Sequence, residues 1–464
     1  MFHYLLVTIF ILRVAAVWPI PSKYIHGTDV LWIEQSVQIS YNGAVQVPLL
    51  SQHFLVFQIL NNLFKQHLSR QSRGQPFYGS NVSSHSHRII STAIASTFET
   101  LFEHQFVPWK FHPRFFDFEP APNATRTCID TIALRQNGTD PLDVFKPAAG
   151  SVDESYTLSM TATGKVIITA TSSLGIAHGL KTFTQLFFKH SNGAVYTPLA
   201  RVEIQDAPKF QHRGLNMDVA RAWYPPKEIL RMIDALAYNK FNRLHIHVTD
   251  AQSWPLEVPS LPELASKGAY GVGMTYDPHT LAHIQDYGAV RGVETILEID
   301  MPGHTSSIAF SHPELIAAFN VQPNWGSYAA EPPSGTLKLN SSAVSDFLDK
   351  LFKDVLPRVL PYSSYFHTGG DEVNMQAYRF DDTVSSNTAD ALQPLMQAFV
   401  DRNLARVRAA GLIPMVWEEM LLTWNLTLGS DVIVQTWQSD EAVAQSVSKG
   451  HKTLVGNYNY WVSM

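Results

Sequence analysis

Over the second half of the chain, runs of six to eight mostly apolar residues each carry a polar or aromatic residue within their last three positions and give way to a stretch with helical spacing. The runs are RGLNMDV (213–219), RLHIHVTD (243–250), ETILEID (294–300), YFHTGG (365–370), LIPMVW (412–417), DVIVQTW (431–437) and KTLVGN (452–457). Between them, residues 225–239, 277–291 and 393–411 carry apolar positions at helical intervals. Strands separated by helices run parallel, which predicts an α/β fold, a (β/α)8 TIM-type barrel over residues 206–464. Seven strands are legible, so the barrel is expected to lack its last strand and helix. Upstream, residues 91–106 and 174–189 have helical spacing, and 155–173 alternates like a hairpin that turns at Thr163 and Gly164. That mixture predicts a small α+β domain over residues 19–205, joined to the barrel near QDAPKF.

Length changes this picture little, since 464 residues suit two or three domains. Charge narrows it more. A formal net charge of −6 without a long basic run excludes a nucleic-acid partner, which needs clustered Lys and Arg. The opening MFHYLLVTIFILRVAAVWPIP has an apolar run followed by Ala15 and Ala16, and reads as a secretory signal over residues 1–18, with a short membrane anchor as the alternative. Five sequons, at Asn81, Asn123, Asn137, Asn340 and Asn425, fit a secreted, extracellular glycoprotein. The single cysteine, Cys128, excludes an intrachain disulfide and is expected to be buried. No later stretch is apolar enough for a bilayer, so the chain is expected to be soluble after signal removal. Residues 66–88 are polar and aperiodic, as a surface loop would be.

Barrel chemistry sits at the carboxyl ends of strands, which here carry Asp218, Asp250, Asp300 with His304, Asp371 with Glu372, Trp417 and Trp437. A polar residue after a strand is ordinarily a turn former or helix cap, but six such ends in succession point to a pocket. The two Trp residues read as walls that stack on a sugar ring, or as caps on the barrel core. His245 and His247 alternate along one strand and share a face, which leaves two readings open: a metal site, or one His in the core and one orienting a carboxylate. Asp371 and Glu372 are adjacent. A glycosidase acid and its nucleophile stand about 5 Å or more apart across the bond, so only one of these two is expected to do acid work.

RGLNMDVAR, FNRLHIHVTDAQSWP, ILEIDMPGH and FHTGGDEVN, in this order, resemble the family 20 glycoside hydrolases, the β-N-acetylhexosaminidases, and most of all the fungal secreted members. The resemblance covers nearly the whole chain after the signal, and the His-x-Gly-Gly-Asp-Glu motif is its most specific part. It implies a retaining exo-enzyme that removes terminal β-linked N-acetylhexosamine, GlcNAc with GalNAc left open, from chitooligosaccharides or glycans. The sugar's own 2-acetamido oxygen would be the nucleophile, passing through an oxazolinium intermediate. By resemblance Glu372 is the acid and base, and Asp371 holds the acetamido N–H. Arg213 clamps sugar hydroxyls, Asp250 and His304 orient the carboxylates, and Trp417 and Trp437 wall the acetamido pocket. No cofactor or metal is implied, and a homodimer is left open. After Trp461 the pattern departs from the family, with Val462, Ser463 and Met464 where a pocket Tyr is expected. That predicts a truncated, poorly folding chain and keeps two alternatives in view, an inactive sugar-binding homologue and a metal-dependent barrel hydrolase.

Overall fold

The computed structural model describes residues 17–46, 82–122 and 126–456. The expected leader up to residue 16, most of the 66–88 loop, the sequons at Asn81 and Asn123 and the stretch after residue 456 lie outside the described residues. The chain forms two compact units, residues 1–142 with 152–209, and residues 143–151 with 210–464.

In the first unit a mixed sheet is built from β1 (Lys23–Tyr41), β2 (Ala44–Gln46), β3 (Cys128–Gln136), β4 (Tyr156–Met160), β5 (Lys165–Ala170), β6 (Phe188–Lys189) and β7 (Val195–Asp206). Its order is β2-β1-β3-β5-β4-β7-β6. β4 and β5 form the expected antiparallel hairpin with Met160 opposite Val166, and Gly164 supplies the positive φ of +82° that its turn requires. The helix expected from 91 starts earlier, at Val82, because the polar run before it lies outside a stripe of Ile89, Ile90, Ile94 and Phe98 that is buried. A second helix, Ser173–Thr184, is capped by Ser172, whose hydroxyl accepts from the Gly175 N–H at 3.1 Å. Cys128, expected to be buried, is half-buried, because it opens β3 at the sheet's margin.

The second unit carries β8 (Gly214–Asp218), β9 (Arg243–Thr249), β10 (Glu294–Ile299), a small antiparallel pair β11 (Ile316–Ala317) and β12 (Thr336–Leu337), then β13 (Tyr365–His367), β14 (Ile413–Trp417), β15 (Ile433–Thr436) and β16 (Lys452–Val455). Seven of these form one parallel sheet in the order β16-β15-β14-β13-β10-β9-β8. Helices Pro226–Tyr238, Pro278–Ala289, Ser342–Val359, Ala389–Ala409 and Asp440–Ser448 return the chain between strands. This is the architecture of a TIM barrel. Side chains alternate along each strand: Leu244, Ile246, Val248, Leu297, Ile299, Phe366 and Val416 join the large cluster under the helices. Each such buried side chain stabilises the fold by roughly 1.5–3 kcal/mol. The opposite set, Ile296, Tyr365, Met415 and Ile433, packs inside the sheet's curl. At the amino-terminal end of the strands Arg243 and Glu294, both buried, pair at 3.2 Å.

Candidate active site

The alternation that turns Leu244 and Ile246 toward the helices turns His245 and His247 inward, where they meet Glu298 of β10 and His367 of β13. Glu298 is fully buried, and its carboxylate lies 2.9 Å from His245 Nε2, 2.9 Å from His247 Nδ1 and 3.3 Å from His367 Nδ1, while the Trp417 indole N–H donates to it at 2.7 Å. Burial alone would raise this carboxyl, but the surrounding imidazoles hold it well below its usual range. His247 is raised well above an ordinary histidine, its burial outweighed by Glu298 and Asp250, and is therefore imidazolium. Burial lowers His245.

Above this layer β13 ends in the turn His367-Thr368-Gly369-Gly370-Asp371-Glu372. Gly369 and Gly370 have φ of +68° and +105°. A Cβ on Gly369 would collide with the Asp300 carboxylate, and one on Gly370 would meet Met420, so both positions need glycine for shape as well as for conformation. The turn brings Asp371 against Asp300, which ends β10 and accepts from the Gly370 N–H at 2.7 Å. Burial, then the charge of Asp371, hold the Asp300 carboxyl well above its usual range, so Asp300 keeps its proton and can donate it to Asp371.

Glu372 has a left-handed φ of +52° that aims its side chain at His304. His304 Nε2 lies 3.4 Å from Glu372 and 4.0 Å from Asp371, and its Nδ1 lies 3.1 Å from Asp250. Burial opposes a charge on His304, but the carboxylates of Asp250 and Asp371 raise it well above its usual value. Asp250 is itself held far below the carboxylate range by His304 and His247, against its burial. It also meets the Arg221 guanidinium at 3.0 Å.

Asp250, His304, Asp371 and Glu372 are therefore brought together. Trp417 is nearby but only 4 % exposed; it packs against His245 and His367 as a floor beneath the turn. Trp437 is half-buried at the end of β15, with its indole N–H donating to Glu419 at 2.9 Å. Arg213 is not part of the site. It precedes β8, and its guanidinium donates to the carbonyls of Lys240 (2.8 Å) and Phe210 (2.6 Å) at the amino-terminal end of the strands. The arginine at the other end is Arg221, which also reaches Asp218 at 2.8 Å and Glu331 at 2.6 Å. Strand length separates the two: five residues of β8 span about 17 Å, so RGLNMDVAR puts its arginines at opposite ends.

Glu419 was not among the expected site residues. It accepts from Trp437 and from the Gln438 amide at 2.8 Å, and burial, then the nearby charge of Asp371, push it up to about 7. The Glu418-Glu419 pair following a strand-end Trp was the available signal. Ligand atoms of His245, Glu298 and His367 lie within 4.8 Å of one another, a spacing a metal could use. His247 groups in the same way with Glu298 and Asp300, and with Asp218 and Asp250.

Residues 210–462 match the catalytic domain of glycosyl hydrolase family 20, and residues 17–186 match a beta-acetyl hexosaminidase like domain. A beta-hexosaminidase of Arthroderma benhamiae is 38 % identical over 97 % of this chain and 76 % of that protein. The beta-hexosaminidase subunit beta of Homo sapiens is 30 % identical over 78 % of this chain, which spans 64 % of that subunit. The Flavobacterium johnsoniae chitobiase shares the fold, with a TM-score of 0.68 at 24 % identity, and here the chain covers 59 % of the larger protein. The match across both units, joined to the paired carboxyls on their glycine turn, establishes that the chain belongs to glycosyl hydrolase family 20.

Proposed function

We propose that the chain is a retaining β-N-acetylhexosaminidase that removes a terminal non-reducing β-linked N-acetylhexosamine by substrate-assisted catalysis. The observation that carries this reading is the different company of two adjacent carboxyls: Asp371 faces the protonated Asp300, and Glu372 faces the imidazolium of His304. The two are adjacent on one turn and do not face each other across a bond as an acid and a nucleophile would, so the reading takes the nucleophile from the substrate. Glu372 protonates the glycosidic oxygen as the C1–O bond breaks, and the 2-acetamido carbonyl oxygen bonds to C1. Asp371 accepts the acetamido N–H and offsets the charge of the oxazolinium ring, held in place by the proton on Asp300. Glu372 then takes a proton from water, which opens the ring with retention. Trp417 and Trp437 bound the acetamido group from below and beside. Arg221, in place of Arg213, grips the sugar hydroxyls. GlcNAc at the ends of chitooligosaccharides is the first substrate in this reading and GalNAc the second.

Hydrolysis of a chromogenic β-GlcNAc glycoside by the full chain, beside Glu372→Gln and beside EDTA, tests the proposal. Activity is expected to fall by at least about 10²-fold in the variant and to be untouched by EDTA. Loss on chelation would instead establish the metal-dependent alternative, and tight binding of a GlcNAc-derived thiazoline without turnover the sugar-binding one. The apolar leader and the sequons, of which Asn137, Asn340 and Asn425 are exposed, support secretion as a glycoprotein. Amino-terminal sequencing and deglycosylation of protein from a culture medium test that part.

A further inference from the structure

His247 and Glu298 are both buried, and Asp250 and His304 stand between them and Glu372. We infer that they are positioning residues of the hydrolase, the inner half of one line, Glu298–His247–Asp250–His304–Glu372, through which the barrel core fixes the orientation and charge of His304. The inference rests on the hydrolase reading of Glu372. Each link is short: Glu298 to His247 Nδ1 is 2.9 Å, His247 Nε2 to Asp250 is 2.7 Å, Asp250 to His304 Nδ1 is 3.1 Å, and His304 Nε2 to Glu372 is 3.4 Å. Carboxylates and imidazoles alternate along it, so a proton held on each ring nitrogen donates to a carboxylate at either side. His247, Asp250, Glu298 and His304 are buried, and in a poorly solvated interior a change at one end is felt at the other.

The remaining neighbours are also placed. Glu298 additionally meets His245, His367 and the Trp417 indole, and Asp250 meets Arg221 and the Ala251 N–H. Arg221 and the two imidazoles give Asp250 three cationic partners, and only His247 ties it to the core. Glu298 as an anion keeps His247 doubly protonated, which presents a positive edge to Asp250. With that edge gone, only Arg221 still shares the Asp250 charge with His304, whose other facing groups, Asp371, Glu372 and the same Arg221 guanidinium 3.3 Å from Nδ1, are unchanged, and His304 holds its proton to higher pH.

The test is Glu298→Gln in the full chain with histidines labelled with ¹⁵N, read by NMR titration and by the pH profile of kcat/KM. His304 is expected to lose its proton at a pH higher by at least about half a unit, and the alkaline limb of the profile to move the same way, with KM within about twofold. Glu294→Gln is the control. It also places an amide in the barrel, but on the carboxylate that pairs with Arg243 at the opposite end, and should move neither readout. If Glu298→Gln does not fold, His247→Gln removes the same positive edge and should produce the same upward shift. A His304 titration that stays where it was in a folded variant overturns the inference. The same shift in a parent chain that hydrolyses nothing would uphold the line and refute the hydrolase reading alone.

Discussion

Replacing Arg221 by Met removes a guanidinium that reaches Asp218 at 2.8 Å, Asp250 at 3.0 Å and Glu331 at 2.6 Å. Asp218 and Glu331 are 30 % and 46 % exposed, so those pairs are worth about 0–1 kcal/mol each. Asp250 is fully buried, and stranding a buried charge costs about 3–5 kcal/mol, but His247 and His304 remain beside it. A net loss of about 2 kcal/mol follows, a fall in Tm of a few degrees for a unit of this size. The effect on turnover is larger. In the proposed reading Arg221 makes two charge-assisted hydrogen bonds to sugar hydroxyls, worth about 3–4 kcal/mol, so kcat/KM should fall about 10²- to 10³-fold. Arg213→Met, by contrast, loses two hydrogen bonds to carbonyls at the far end of β8, about 1–2 kcal/mol of stability, and kcat/KM should stay within about twofold. The assay is kcat/KM on a chromogenic β-GlcNAc glycoside, with a thermal melt of each variant. If Arg213→Met lost more turnover than Arg221→Met, the reassignment of the sugar clamp would be wrong.

Glu419 has a folded pKa of about 7, above its unfolded value, so the stability tied to its proton is present below about 4.5 and lost as pH rises through 7, roughly 3 kcal/mol in all. Glu419→Gln keeps the acceptor for Trp437 and Gln438, and should raise Tm at pH 8 while leaving it little changed at pH 4; an equal shift at both would contradict the sign. Gly369→Ala, at a φ of +68° and against Asp300, should lose about 2–5 kcal/mol and nearly all turnover, and a melt like the parent's would show that the turn relaxes freely. Asp300→Asn retains an acceptor for the Gly370 N–H and a donor toward Asp371. Its kcat/KM should fall less than about tenfold, whereas Asp300→Ala should fall at least about 10²-fold, and equal losses would mean that the proton on Asp300 plays no part.

The barrel strands stood out because strands buried on both faces must be apolar for most of their length, and each begins and ends within two or three residues of its expected position. The site was legible where one segment carries it, as in the turn from His367 to Glu372. It was illegible where separate strand ends meet. Asp300 touches Asp371, and Glu419 feels Asp371, because β10, β13 and β14 are neighbours in register, which no single stretch records. Arg213 was misplaced for a related reason. The motif holds two arginines, and only the rise along β8 tells which one reaches the carboxyl end.

The acid and base of this reading, Glu372, sits in the left-handed region at φ +52°, and so does His304, which faces it, at φ +55°. A residue other than glycine pays about 1–2 kcal/mol there, which Gly, or in part Asn, would recover. At His304 the loss of a buried partner for Asp250 outweighs that gain, so selection of variants for heat resistance alone would drift toward Gly or Asn at the more exposed 372, enriching robust proteins that no longer turn over substrate. A directed-evolution campaign on this scaffold would need an activity screen at every round, or position 372 held constant.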